Sequence, residues 1–195
     1  QRGIKTFEEA RYFFRPQLTY LHDPFLMKDM EAAIERIEEA IQLNQKILVY
    51  GDYDVDGTTA VALTYQFFSN FTDLIEFYIP DRHVEGYGIS TQGIDYAHAN
   101  GVDLVIALDC GIRANDKIEY ANGLGIDFII CDHHLPGDEL PNAIAILDPK
   151  RNDCEYPFKE LSGCGIGFKL AQAYCTLKNL PDELYEQYLD LCMIR

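Results

Sequence analysis

Lys46–Gly57 reads KILVYGDYDVDG. Ile47–Tyr50 is an unbroken apolar run, and aspartates follow it at alternate positions: Asp52, Asp54 and Asp56. A strand wetted on one face alternates apolar and polar residues. A run without alternation suits a strand buried on both faces, as in parallel sheets. The loop GDYDVDG leads into Thr58–Phe68, TTAVALTYQFF, which reads as a helix. Gly57 is expected to let the chain turn tightly from loop to helix. Strand, acidic loop and helix in that order form the repeating unit of an α/β fold.

The pattern recurs outward from this stretch. Leu74–Pro80 (LIEFYIP), Asp103–Asp109 (DLVIALD), Asp127–Asp132 (DFIICD) and Ala143–Asp148 (AIAILD) are further strand candidates. A helical candidate spans about Ala114–Leu124. The expected fold is α/β, a parallel β-sheet flanked by helices. Upstream, Met27–Asn44 is an amphipathic helix with Ile34, Ile37 and Ile41 on one face. Residues 1–45 therefore read as a helical lead-in to a domain over 46–195. Downstream, Ser162–Leu177 reads as a helix entered through glycines, and a last helix is expected from near Pro181 toward Cys192. Leu189–Arg195 stops in an apolar run and Gln1 is no initiator Met. Both ends are expected to lie inside a longer protein, with the domain truncated at its C-terminal side.

With 195 residues, 48% of them hydrophobic, the chain can bury one sizeable core. No run of about eighteen apolar residues appears, so no transmembrane helix is expected. Nothing at the N-terminus reads as a signal peptide. The six cysteines form no CxxC pair. They suggest neither a disulfide framework nor a zinc site, and they fit a reducing, cytoplasmic compartment. Cys110 and Cys131, at the ends of apolar runs, are expected to pack as small hydrophobes. The net charge of −16 counts against nucleic acid as a partner. Two considerations weaken the objection: aspartates of a metal site inflate the negative count, and bound cations reverse the local sign.

The acids sit in a telling place. Asp52/Asp54/Asp56, Asp109, Asp132 and Asp148 each end or follow an apolar run. In a parallel α/β sheet the strand ends on one edge form the ligand crevice, so these acids should converge. If Asp52–Asp56 stays extended, its carboxylates point the same way and repel. A divalent cation resolves the conflict. Oxygen ligands with imidazole suit Mn²⁺ or Mg²⁺. His133 and His134 point opposite ways on an extended chain, which favours one as ligand and the other as a phosphate contact or proton relay. A calcium loop starting at Asp52 would need Glu at its twelfth position, where Leu63 stands. Arg82 is either a phosphate clamp or a surface ion pair with Asp81 or Glu85. Ser162–Lys169 (SGCGIGFK) matches neither GxxxxGK[ST] nor GxGxxG in register. It reads as a helix start packed close to the sheet that offers N–H groups to an anion.

Five segments in order carry a resemblance: VYGDYDVDGTTA (Val49–Ala60), PDRHVEGYG (Pro80–Gly88), LDCG (Leu108–Gly111), CDHH (Cys131–His134) and LSGCGIGFK (Leu161–Lys169). Together they resemble the DHH phosphoesterase superfamily. EGYG and SGxG resemble its single-strand-specific 5′→3′ DNA exonucleases rather than its pyrophosphatase or oligonucleotide-degrading branches. The resemblance implies that Asp54 and Asp56 each hold one metal, Asp109 bridges, His133 ligates and His134 lies near the scissile phosphate. Asp52 is a supporting ligand. Many relatives carry His where Tyr50 stands, so water or Asp52 is the expected substitute. A further family aspartate is expected just past the end of this chain, and a downstream nucleic-acid-holding domain beyond it. Asp148, at a strand end, and Asp190 are the acids most easily mistaken for that missing ligand.

The expected activity is two-metal phosphodiester hydrolysis on single-stranded DNA in repair and recombination. Asp109 and His134 would be catalytic, and Arg82 or His134 would steady the phosphate. Two alternatives stand beside it. One is a phosphodiesterase for short oligonucleotides or cyclic dinucleotides, and the other is a non-catalytic binding module.

Overall fold

The computed structural model describes residues 3–193. The helices are α1 (Phe7–Phe14), α2 (Met30–Gln42), α3 (Val55–Phe68), α4 (Thr91–Ala99), α5 (Asn115–Gly123), α6 (Gly163–Lys178) and the single turn α7 (Glu183–Glu186). The strands are β1 (Lys46–Gly51), β2 (Ile75–Tyr78), β3 (Val102–Leu108), β4 (Asp127–Cys131) and β5 (Ala145–Leu147). They form one five-stranded sheet in the order β2-β1-β3-β4-β5, and every pairing is parallel. This is the expected fold class.

Alternate residues of the central strands serve two cores. Ile47, Val49, Ile106 and Ile129 meet α2, α3 and α6 on one face. Leu48, Tyr50, Val105 and Ile130 meet α4 and α5 on the other. Both faces are covered, which is why these runs do not alternate. β2 is the exception: it is an edge strand, and its Phe77 is exposed. Cys110 and Cys131 are buried in these cores as free thiols. α2, from the lead-in, packs in the same core as the sheet through Met30, Ile34, Ile37 and Ala40. No helix of the described residues is long and apolar enough to cross a membrane.

Three local expectations change. The helix expected from Thr58 begins at Val55, because Asp54 caps it by accepting a bond from Gly57 N at 2.9 Å. Asp52–Asp56 is therefore not an extended ladder of carboxylates. α4 was not anticipated: its sequence TQGIDYAHA is short and holds a glycine, and it is started by Ser90 Oγ accepting from Gly93 N at 2.8 Å. The last expected helix breaks into α7 and a 3₁₀ turn at Leu191–Met193. Its buried residues Tyr185 and Tyr188 are spaced by three, and Asp182 supplies no side-chain cap. Ile194 and Arg195, the end of the apolar closing run, lie outside the described residues.

Candidate metal centre

β1 and β3 are neighbours, but the chain leaves β1 toward β2 on one side and returns to β3 on the other. The crevice between their C-terminal ends is the topological switch point, where open α/β sheets bind ligands. Asp52 follows β1 and Asp109 follows β3, so the two acids stand on its banks. Asp132 and Asp148 extend the row beyond β4 and β5. All four are almost fully buried, from 0% to 2% exposed.

One ligand atom each of Asp52, Asp54 and Asp109 lies within 4.8 Å of the others, and the same holds for Asp109, His133 and His134. Asp109 belongs to both groups. Its backbone takes φ +60, left-handed for a non-glycine residue, which aspartate tolerates better than most. Its Oδ1 lies 3.0 Å from His133 Nε2. Burial, with Asp56 and Asp54 nearby, pushes its carboxyl up to about 6, against the opposing bond from His133. Burial also pushes Asp52 up, with Asp54 adding to the effect. Asp52 Oδ1 is buried without a hydrogen-bond partner among the described residues. An orphaned buried oxygen beside two more carboxylates fits a divalent cation better than it fits solvent-free protein. Hard oxygens with one imidazole fit Mn²⁺ or Mg²⁺.

Asp56 sits in the first turn of α3 and serves a second helix as well. Its Oδ2 accepts from Gly163 N and its Oδ1 from Cys164 N, both at 2.8 Å. The helix start in SGCGIG does hold an anion, and that anion is a carboxylate of the chain itself. Asp56 Oδ2 also approaches His133 Nε2 at 3.8 Å. Gly57 has no special turn conformation. A Cβ there would meet Asp52 backbone atoms at 2.5–2.9 Å, so its role is close approach. Gly163 is similar: a Cβ would lie 2.6 Å from Asp109 Cβ.

His134 takes its hydrogen bonds from a different acid than His133 does. Its Nδ1 lies 2.7 Å from Asp132 Oδ1, and its Nε2 lies 3.2 Å from Tyr87 Oη. Asp132 Oδ1 also accepts His133 N at 2.7 Å, and its Oδ2 accepts Ile112 N at 2.9 Å. Burial pushes Asp132 up, but these bonds hold it below its ordinary value. The bond to Asp132 raises His134, and the bond to Asp109 raises His133. Sequence reading singled out neither Asp132 as an orienting group nor Tyr87. The EGYG motif, once placed beside CDHH, was the available signal.

Arg82 is exposed and lies over the Tyr53 ring, 5.2 Å from its centroid. Its expected ion-pair partners are occupied within their own loop. Asp81 Oδ1 accepts His83 N, and Glu85 accepts Asp81 N, Tyr78 Oη and Ser90 Oγ. Tyr50, where the resemblance implied a histidine, is buried and braces the EGYG loop: Oη donates to Gly88 O at 2.9 Å and accepts Ser90 N at 3.1 Å. Asp148 accepts Lys150 N, and burial pushes it up to about 6. Asp190 is exposed in the closing segment.

The family model described as DHH family, N-terminal domain, matches residues 46–194. The single-stranded-DNA-specific exonuclease RecJ of Bacillus subtilis is 45% identical over 194 residues, covering 100% of this chain and 24% of that protein. Its namesake from Escherichia coli is 36% identical over 176 residues, 90% of this chain and 30% of that protein. The chain thus spans less than a third of the length of these relatives. A solved exonuclease RecJ bound to manganese superposes with TM-score 0.76 at 29% identity, over 85% of this chain and 42% of that one. RecJ of Thermus thermophilus in complex with Mn²⁺ gives 0.73 at 25% identity, over 94% and 27%.

Proposed function

The chain belongs to the DHH family, and we propose that it is the catalytic part of a single-strand-specific DNA exonuclease acting 5′→3′ in repair and recombination. One observation carries the reading: two triads of possible ligand atoms share the buried Asp109 at the switch point of a parallel sheet. The relatives named as single-stranded-DNA exonucleases, and their manganese-bound structures, support the substrate and the ion. Residues 46–195 form the DHH unit in this reading and 1–45 its packed lead-in. The compartment is cytoplasmic, in keeping with six free thiols.

Asp54, Asp56, Asp109 and His133 would hold Mn²⁺ or Mg²⁺, with Asp52 in support. When bound, the ions supply Lewis acidity and neutralise charge at the attacked phosphate. The chain's own residues supply position. Asp132 holds His134 by Nδ1, so the opposite ring nitrogen, now on Tyr87, is the one offered to a scissile phosphate. Arg82 is exposed and held by the Tyr53 ring, so it can reach a phosphate at the cost of a ring contact. The fixed bonds from Gly163 and Cys164 leave Asp56 its remaining lone pairs for an ion.

The test is Mn²⁺-dependent release of mononucleotides from single-stranded DNA by the parent protein. Asp109→Ala is expected to lower the rate at least about 100-fold, a typical effect of losing a major electrostatic contact. Undiminished activity in that variant would remove the mechanism. Activity confined to dinucleotides would select the short-oligonucleotide alternative, and binding without hydrolysis would select the non-catalytic one.

A further inference from the structure

A cleft of about 690 Å³ adjoins the acidic cluster, a size in the range of small-molecule sites. It lies where the loops after β3 and β4 meet, and His133 and His134 line it as well. Its charge is opposite to that of the chain. The sequence has 32 acids against 16 Lys and Arg. Yet Arg113, Lys117 and Lys150 all line this cleft, and Asp132 is the one carboxylate among the lining residues. Asp132 is buried, with both oxygens engaged by Ile112 N and His134.

The three cations are poorly neutralised. Arg113 gives Nε to the Leu135 carbonyl at 2.7 Å and enters no ion pair among the described residues. Lys117 gives its ammonium to the neutral Thr91 Oγ1 at 2.5 Å. Among the described residues Lys150 makes one ion pair, with Glu160 at 3.7 Å, and that partner's side chain is 73% exposed. α5 starts at the same wall, at Ala114, with no side-chain cap on its positive end. Between the cations the lining is apolar, with Ile112 and Leu135, and Tyr87 lines it with 58% of its surface exposed. Cations beside an aromatic and an apolar wall are what a phosphate joined to a base requires.

We infer that this cleft binds a nucleoside monophosphate unit, with its phosphate on Arg113, Lys117 and Lys150 and its base against Ile112, Leu135 and Tyr87. The inference rests on the hydrolytic reading for what delivers that unit: a nucleotide of the strand beside the scissile phosphate, or the mononucleotide released from it. Binding itself needs no catalysis, so it is measured in EDTA, where failure of hydrolysis has no bearing on it.

Titration of the full chain with dAMP, followed by amide NMR, is expected to shift Ile112, Arg113 and Lys117. This readout needs no variant. Charge reversal by Arg113→Glu with Lys117→Glu is expected to weaken dAMP binding at least tenfold with the fold intact by circular dichroism. A parallel loss for a single-stranded oligonucleotide assigns the cleft to the strand, whereas loss for dAMP alone assigns it to the released product. Inorganic phosphate binding as tightly as dAMP would overturn the base wall. Amide shifts confined to other parts of the chain, or affinity untouched by charge reversal, would overturn the site. Cleft binding in a parent protein that does not hydrolyse DNA would leave this inference standing and sink the hydrolytic one.

Discussion

Asp132 Oδ1 receives His133 N, His134 N and His134 Nδ1, and Oδ2 receives Ile112 N. Such a carboxylate sets the direction of the imidazole rather than entering the chemistry, the arrangement common behind metal and catalytic histidines. Asp132→Asn keeps the size but replaces an acceptor oxygen by an NH₂ donor. The amide then loses either the Ile112 N bond, if its NH₂ replaces Oδ2, or both His134 bonds together with the His133 N bond, if it replaces Oδ1. The expected outcome is a kcat about 10–100-fold lower with KM little changed, read in the Mn²⁺-dependent assay of the parent protein. A shift in KM alone would mean that His134 only helps binding. Of the site, the residues were legible and their partners were not. Asp52, Asp54, Asp56, Asp109 and the His pair stood out because acids at strand ends have no other common reason to be there. Tyr87 and the orienting role of Asp132 were hidden, because a tyrosine's partner across 47 residues of chain leaves no mark on the spacing.

At the scale of elements, α6 decides how closely the site is built. It lies against α3 and over Asp109, and its first turn donates to Asp56. Gly163 permits this, and the same logic places Gly167 one turn on, where a Cβ would be 2.9 Å from Thr64 Oγ1. Gly163→Ala is expected to destabilise by about 1–3 kcal/mol through overpacking against Asp109. Gly123→Ala, also in a helix but with nothing within 4 Å of the added carbon, is expected to stabilise by roughly 0.4–1 kcal/mol. Chemical denaturation of the two variants checks both signs. Two stabilising outcomes would show that α6 moves away from Asp109 at no cost.

Across the whole molecule, the segment before β1 is tied to the core by more than α2. Lys169 of α6 is 2% exposed, and its ammonium donates to His22 O and Gln172 Oε1, both at 2.7 Å. Burial pushes it from 10.5 down to about 8. Between those values the unfolded chain binds the proton and the folded one does not, so this group makes stability rise with pH across the window. Below about pH 8 its cost is present in full. Lys169→Met removes the titration. Relative to wild type, the variant should therefore fare best near neutral pH and lose that relative advantage toward about pH 10. Urea midpoints at the two pH values measure the trend. A difference independent of pH would show that Lys169 stays charged throughout.

The sequence by itself determined the sheet and the identity of its acids. Runs such as Ile47–Tyr50 and Leu104–Leu108 lack alternation because both faces are covered, and that requirement acts residue by residue. It could not show that Asp54 caps α3, because a cap and a loop use the same polar residues. Nor could it show α4, a short segment whose helix depends on the Ser90 cap and on packing Ile94 and Ala97. Strand order belonged to tertiary structure alone. Only when β3 lies beside β1 do Asp52, Asp54 and Asp109 close to within 4.8 Å. The same folding gathers Arg113, Lys117 and Lys150 into one positive cleft on an acidic chain. Charge acts through distance in space, and sequence separation carries no measure of it.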